Sequence, residues 1–341
     1  MRKILLFLLS SVIGFSLFIL VAKTIGWQEI KSALLVFTGW QGLVILLLTF
    51  LIAIIHNWKW QKILEGQGIC LPFWDLFRYY LAGFSVMFLA PALLLAGEVF
   101  RGYALKKNSN VSGTKVMTSV FIDRFLEWTA NAIVAFLGVL LFLYYIGIAP
   151  KNLIVIFIAA TILSALALFF YFRLLKQKSI ARLFFKISGL KNSNLKEAVF
   201  DAERTILNFL SLKRSSLGDA LVLTLVRTIV MYFRAYILII FLGKAVAALP
   251  TLTILGFNYL ATALPIPAAL GSHEALQVLA FSVFGLGSST ATAFAMIIRA
   301  AELLFALAGL VVLFRLSIML LKKFLFEKAD KLARLIDRDN Y

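Results

Sequence analysis

The sequence predicts an all-α polytopic membrane protein that is built as an inverted repeat. Three observations predict it: long apolar runs, few charged residues, and a motif that recurs about 175 residues later in the chain. Charged residues make up 15% of the 341 residues, whereas soluble domains contain about 25%. We expect a single transmembrane domain over 1–341. Each half has the order span, span, re-entrant hairpin, span, which gives about six full spans plus two hairpins.

Six apolar runs are long enough to cross a bilayer as helices, because a span needs about 20 predominantly apolar residues. In chain order they are 4–22, 41–57, 117–145, 152–172, 217–242 and 291–316. The first run follows Arg2 and Lys3, as a signal peptide would. It is long for a signal peptide, however, and no small-residue cleavage site follows it. We therefore expect a retained first helix.

Two further apolar segments, 73–95 and 251–286, are interrupted by proline and glycine. Irregular backbone at membrane depth is tolerated only inside protein or beside a water-filled cavity. Both segments are therefore predicted to be re-entrant hairpins. With these hairpins, the first inverted repeat covers 1–147 and the second covers 148–320.

The distribution of lysine and arginine predicts the orientation, because positive side chains collect in cytoplasmic loops. If each hairpin leaves on the side it entered, 26 of the 34 basic residues lie in the cytoplasm, four outside and four in spans. The cytoplasmic ones include those of the predicted loops 58–78 and 96–116, and those in spans are Arg124, Arg227, Arg234 and Arg299. The segment 173–214 is predicted to be basic, cytoplasmic and partly an amphipathic surface helix, although a solvated loop suits 176–196 equally well. The tail 317–341 is a second basic cytoplasmic segment. We expect both termini in the cytoplasm and a multi-pass protein of the cell membrane.

The recurring motif consists of an octapeptide and a later charged pair. PALLLAGE (91–98) recurs as PAALGSHE (267–274), and each is followed after 25 or 26 residues by Arg-x-x-Glu. The spans that carry these charged pairs run in opposite directions in the predicted topology. We therefore expect the two octapeptides to meet near the bilayer centre, at hairpin tips that face a shared cavity. The predicted tip residues are Pro91, Gly97, Pro265, Pro267 and Gly271.

Charged residues inside spans are costly and tend to be paired and functional. Arg124 and Glu127 stand three apart on one helix face and can neutralise each other, as can Arg299 and Glu302. One interpretation is a purely structural ion pair in each half. The other is that both arginines bind an anionic lipid headgroup, because a guanidinium donates two hydrogen bonds to phosphate at once. Asp123 is expected to be merely interfacial.

The two hairpin glutamates, Glu98 and Glu274, also have two interpretations. They can stabilise the N-termini of short helices, or they can bind a proton or a cationic headgroup.

The sequence HEALQ at 273–277 lacks the second histidine of a zinc protease, because Gln277 takes its place. We expect no metal, no cofactor and no enzymatic activity. The net charge of +18 is attributed to anionic lipid rather than to nucleic acid.

The motif regions resemble a known family. GFSVMFLAPALLLAGEVFRGYALKK, IDRFLEW, LPIPAALGSHEALQ and IIRAAELLFALAGL are similar to the flippase-like family named after the lysylphosphatidylglycerol synthase transmembrane region, over about 4–320. By this resemblance the following residues match family motif positions: Pro91, Gly97, Glu98, Arg101, Arg124, Pro265, Gly271, Glu274 and Arg299. Around the first tip the family often has asparagine and glycine, where this chain has Met87, Phe88 and leucines at 93–95. The family's best-known members carry a soluble aminoacyl-transferase domain, and no segment here is expected to form one.

The sequence and the resemblance together predict a flippase or transporter that moves an anionic or polyprenyl-linked lipid between leaflets. The predicted substrate-binding residues are Glu98, Arg101, Arg124, Glu127, His273, Glu274, Arg299 and Glu302. A membrane-embedded enzyme that acts on a lipid headgroup and a non-transporting scaffold of envelope lipid synthesis are the alternatives. The expected partners are membrane lipids, with a homo-oligomer or an envelope-biosynthesis partner left open.

Overall fold

The computed structural model describes residues 39–89, 96–109, 111–147, 214–264 and 271–338, whose regular secondary structure is helical throughout. The helices of these ranges are α1 (Trp40–Gly66), α2 (Phe73–Leu89), α3 (Ala96–Asn108), α4 (Gly113–Tyr145), α5 (Arg214–Phe241), α6 (Ala248–Ala263), α7 (Ser272–Ser282) and α8 (Ser288–Arg338). The all-α prediction is confirmed for this part of the chain. The predicted spans 4–22 and 152–172, and the segment 173–213, lie outside it.

Four of the described helices are long and apolar enough to cross a membrane. They are α1, α4, α5 over Ser216–Phe241, and α8 over Ser288–Leu316. They coincide with four of the predicted spans, although the span predicted over 41–57 ends too early, because α1 continues to Gly66. The extra turns include Lys59, which is fully buried. Lysine interrupts the apolar pattern without ending the helix, because its charge is compensated by a neighbouring helix.

The segment predicted as a hairpin over 73–95 contains one described helix, α2, and α3 follows from Ala96, whereas the segment 251–286 contains most of α6 and all of α7. The first pair is α2 and α3, of 17 and 13 residues, and the second is α6 and α7, of 16 and 11 residues. At 1.5 Å per residue these helices are about 16 to 26 Å long, which is less than the bilayer core of about 30 Å. The stretch 96–108, predicted as part of a cytoplasmic loop, is helical instead.

Helix packing between the two halves is reciprocal. Helix α1 packs along α5, α2 packs along α8, and α6 packs along α4. Glycine allows the closest of these approaches: a Cβ added to Gly138 of α4 would lie 2.9 Å from Gly256 Cα of α6. In the corresponding contact, a Cβ on Gly309 of α8 would collide with the backbone oxygen of Leu81 in α2. Small residues of this kind let membrane helices pack backbone to backbone.

Large apolar side chains cover the outer surface of the spans. On α5, Leu225, Ile229 and Phe233 are 62%, 53% and 49% exposed, and their spacing of four residues places them on one face. An exposed apolar face of this length is suited to lipid rather than to water. The buried face of the same helix carries Arg227 and Arg234, so the polar groups of the bundle lie inside it.

Candidate functional site

Asp123 is the centre of a buried ion-pair cluster between α1, α3 and α4. Its carboxylate is fully buried, with Lys59 Nζ 2.8 Å from Oδ1 and His56 Nε2 3.1 Å from Oδ2. The Arg101 guanidinium donates a short hydrogen bond to the same Oδ2. The expectation that Asp123 is merely interfacial is wrong. The cations Lys59 and Arg101 compensate its charge in the protein interior, as buried charges require, and His56 adds a hydrogen bond.

Two further carboxylates continue this cluster, and each lies between two arginines. Glu98 Oε2 is 2.6 Å from Arg101 Nε, and Glu98 Oε1 is 2.5 Å from Arg124 Nη2. Glu127 Oε2 is 2.8 Å from Arg124 Nη1, and Glu127 Oε1 is 2.7 Å from Arg227 Nη2. The predicted Arg124–Glu127 pair is confirmed. It is one link in a longer chain of charges, because Arg124 bridges both glutamates.

The cluster is assembled from pairs that lie three residues apart on one helix. His56 and Lys59 come from α1, and Glu98 and Arg101 come from the first turns of α3. This spacing places both members of each pair on one helix face. Trp60 makes a cation–π contact with Arg101, because its ring centroid is 4.5 Å from the guanidinium carbon.

A cavity of about 60 Å³ lies beside the arginines of the cluster. The side chains that line it are His56, Tyr80, Phe84, Met87, Glu98, Arg101, Arg124, Glu127 and Arg227. Three of its arginines retain buried donors without a hydrogen-bond partner among the described residues: Arg101 at Nη1, Arg124 at Nε, and Arg227 at Nε and Nη1. Four cations face three carboxylates in the whole cluster, so one positive charge is in excess. This arrangement suits an anion that accepts several charge-assisted hydrogen bonds.

The second half contains a smaller charged cluster around Glu302. Glu302 Oε2 is 3.1 Å from Arg299 Nη1, which confirms the predicted pair, and Glu302 Oε1 is 3.5 Å from Arg234 Nη2. Arg234 also donates a hydrogen bond to Thr49 Oγ1 of α1 at 3.1 Å. Arg299 lies over the ring of Phe88 at the end of α2, 5.7 Å from its centroid.

His273 and Glu274 lie in the first turn of α7 and are almost completely buried, at 0% and 1% exposed. Both ring nitrogens of His273 and Oε2 of Glu274 lack a hydrogen-bond partner among the described residues. Gly271 precedes them with a φ of 76°, a left-handed conformation that glycine adopts at little cost. Of the other predicted tip residues, Gly97 lies in the first turn of α3, whereas Pro91, Pro265 and Pro267 lie outside the described residues, as does the predicted meeting of the two tips.

Sequence reasoning missed five members of these clusters: His56, Lys59, Asp123, Arg227 and Arg234. Three of them were visible as charges inside long apolar runs, which is a recognised signal of function. Arg227 and Arg234 were assigned to a span but given no role, and Lys59 was assigned to a cytoplasmic loop. Arg101 was likewise counted among cytoplasmic cations, yet it is 1% exposed. A helix drawn past residue 57 would have placed Lys59 beside His56 on one face.

Comparison with known proteins gives two matches. The model of the family described as lysylphosphatidylglycerol synthase TM region matches residues 7–309. UPF0104 membrane protein MJ1595 of Methanocaldococcus jannaschii is 20% identical over 298 residues, which is 84% of this chain and 88% of that protein. No solved structure matches the chain significantly.

Proposed function

The chain belongs to the family of lysylphosphatidylglycerol synthase transmembrane regions, and from this premise we propose that it moves an anionic or polyprenyl-linked lipid between the leaflets of the cell membrane. The observation that carries the proposal is the cavity lined by Arg101, Arg124 and Arg227, each with a buried donor that has no partner in the described part of the chain. Phosphate is the group that all such lipids share. Its oxygens accept the hydrogen bonds that these arginines have left to donate.

The apolar wall of the cavity supports a lipid rather than a free anion. Tyr80, Phe84 and Met87 of α2 line the cavity together with the arginines. Phe84 stacks on Phe88 with centroids 6.0 Å apart, and Phe88 in turn lies under Arg299. An aromatic path therefore joins the first charged cluster to the second, which suits a molecule with a charged head and an apolar body.

The reciprocal helix packing supports an inverted repeat with two re-entrant hairpins. Each described half has the order long helix, two short helices, long helix, and the same pairs of helices meet in both directions. In this proposal α2–α3 and α6–α7 are the hairpins, and both termini are cytoplasmic. A site between such halves can open alternately to either side when one half moves against the other.

The proposal is tested with the full chain in proteoliposomes that contain a fluorescent phosphatidylglycerol, a fluorescent phosphatidylcholine or a polyprenyl phosphate. We expect faster exchange between leaflets for phosphate lipids without a cationic headgroup. Arg227→Lys keeps the charge but loses the planar fork, so the rate should fall about 10- to 100-fold, as expected for one or two charge-assisted hydrogen bonds. Arg124→Lys is a second test if Arg227→Lys does not fold.

Arg78→Lys is the matched control, because Arg78 is 66% exposed and pairs only with the exposed Asp75 among the described residues. It should leave the rate unchanged. Wild-type rates in both cluster variants, with normal size-exclusion profiles, would contradict the headgroup role. A chemically altered headgroup on chromatography would instead establish the enzymatic alternative.

A further inference from the structure

Glu98 and Glu274 occupy corresponding positions but have opposite surroundings. Both lie in the first turn of the second short helix of their half. Two arginines lie within 2.6 Å of Glu98, whereas no basic side chain of the described residues lies within ion-pair distance of Glu274. Two differences account for this: the residue three positions after the glutamate is Arg101 in one half and Gln277 in the other, and Arg124 reaches Glu98 whereas its counterpart Arg299 pairs with Glu302.

The charged groups around Glu274 come from few elements. Helix α8 contributes Arg299, whose positive field reaches the carboxylate and which is already paired with Glu302. From α6 the titratable side chain is Tyr259, which is buried and directed to Met231 of α5.

The remaining neighbours are His273 on α7 and, near His273, Arg234 of α5. Gln277 is uncharged and donates a hydrogen bond to Ile254 O. Glu274 therefore has a cation nearby but none in contact with it.

We propose that Glu274, with His273 beside it, is a proton-binding site that couples lipid movement to proton movement across the membrane. The carboxylate takes up one proton from the aqueous side to give a neutral carboxylic acid, and it releases the proton on the other side when the bundle changes conformation. A buried carboxylate without a contacting cation is stable mainly in its neutral form. Its neighbour His273 has both nitrogens without a partner among the described residues, so a second titratable group lies in the same turn of α7.

The coupling rests on the proposed function, and the arrangement of charges explains it. When Glu274 is ionised, its negative charge adds to that of Glu302 near Arg299. When Glu274 is neutral, Glu302 is the one carboxylate of the two that still balances Arg299, and a lipid phosphate meets less repulsion there. Proton uptake at Glu274 thus favours anion binding at Arg299. The fully paired Glu98 of the first half has no such freedom.

The first test measures protonation directly and needs no lipid movement. The full chain in nanodiscs is titrated with pH while the carbonyl stretch of protonated carboxylic acids is recorded by infrared difference spectroscopy. We expect a titrating band that disappears in Glu274→Gln, a near-isosteric variant that keeps the neutral form of the side chain. Asp75→Asn, at an exposed carboxylate, should retain that band. Equal spectra for the wild type and a folded Glu274→Gln would overturn the proton site.

The second test measures lipid exchange against pH in proteoliposomes. On the alkaline side of the titration midpoint the wild-type rate should fall about tenfold per pH unit, because the protonated fraction falls tenfold. Glu274→Gln should be independent of pH. A wild-type rate without pH dependence would overturn the coupling. If no lipid moves at any pH, the proposed function fails, while the infrared band still decides whether Glu274 binds a proton.

Discussion

Replacing Asp123 by asparagine should strongly destabilise the bundle. The variant keeps the size of the side chain but removes the charge that lies 2.8 Å from Lys59 Nζ and accepts a hydrogen bond from Arg101. The cluster would then hold four cations and two carboxylates. Removing one partner of a buried ion pair costs about 3 to 5 kcal/mol, which is a large share of the 5 to 15 kcal/mol that stabilises a typical domain.

The free energy of unfolding can be measured in detergent micelles by denaturant titration, with tryptophan fluorescence as the signal. The matched control is Asp75→Asn, since the Asp75–Arg78 pair is 3.5 Å apart and more than half exposed on both sides. An exposed pair of this kind contributes about 0 to 1 kcal/mol. The difference in unfolding free energy between Asp123→Asn and Asp75→Asn therefore measures the effect of removing a buried charge beyond that of removing an exposed one.

A second substitution tests the mechanism of the loss. Lys59→Met in the Asp123→Asn background removes the cation that was left without a partner and restores an excess of one positive charge. It should recover about half or more of the lost stability, because a balanced buried site tolerates apolar replacement. A loss below about 1 kcal/mol in Asp123→Asn, or no recovery in the double variant, would refute the idea that charge balance holds the cluster together.

Three further variants test single contacts by the same unfolding measurement. Gly138→Ala should cost about 1 to 3 kcal/mol, because its Cβ would lie 2.9 Å from Gly256 Cα. The control Gly218→Ala should be neutral or stabilising, since nothing lies within 4 Å of its Cβ. A larger loss of stability in Gly218→Ala than in Gly138→Ala would show that α4 and α6 do not pack this closely. Gly271→Ala should cost about 1 to 2 kcal/mol, since the φ of 76° at this position is unfavourable for alanine. Unchanged stability would show that residue 271 does not adopt this left-handed conformation. Ser119→Ala should cost about 0.5 to 1.5 kcal/mol by removing the acceptor of the hydrogen bond from Trp60 Nε1 at 3.1 Å. Trp60→Phe should cost more, because it also removes ring volume at a fully buried position, and a smaller loss would contradict this packing.

The sequence by itself determined the class of protein, the positions of four described spans and the two Arg-x-x-Glu pairs. These are local properties. Hydropathy over about 20 residues decides which segment can cross a bilayer, and a spacing of three residues on a helix decides which side chains share a face. The start of α7 at Ser272 was predictable for the same reason, because Gly271 acts on the backbone where it stands.

Only the tertiary structure decided which charges are buried and what compensates them. His56 and Asp123 are 67 positions apart in the chain and meet because α1 packs against α4. Arg227 reaches Glu127 from the other half of the molecule. The sequence also showed Glu98 and Glu274 as equivalent glutamates. The state of a carboxylate depends on the side chains within a few ångströms of it; two arginines lie there for Glu98 and none of the described ones for Glu274.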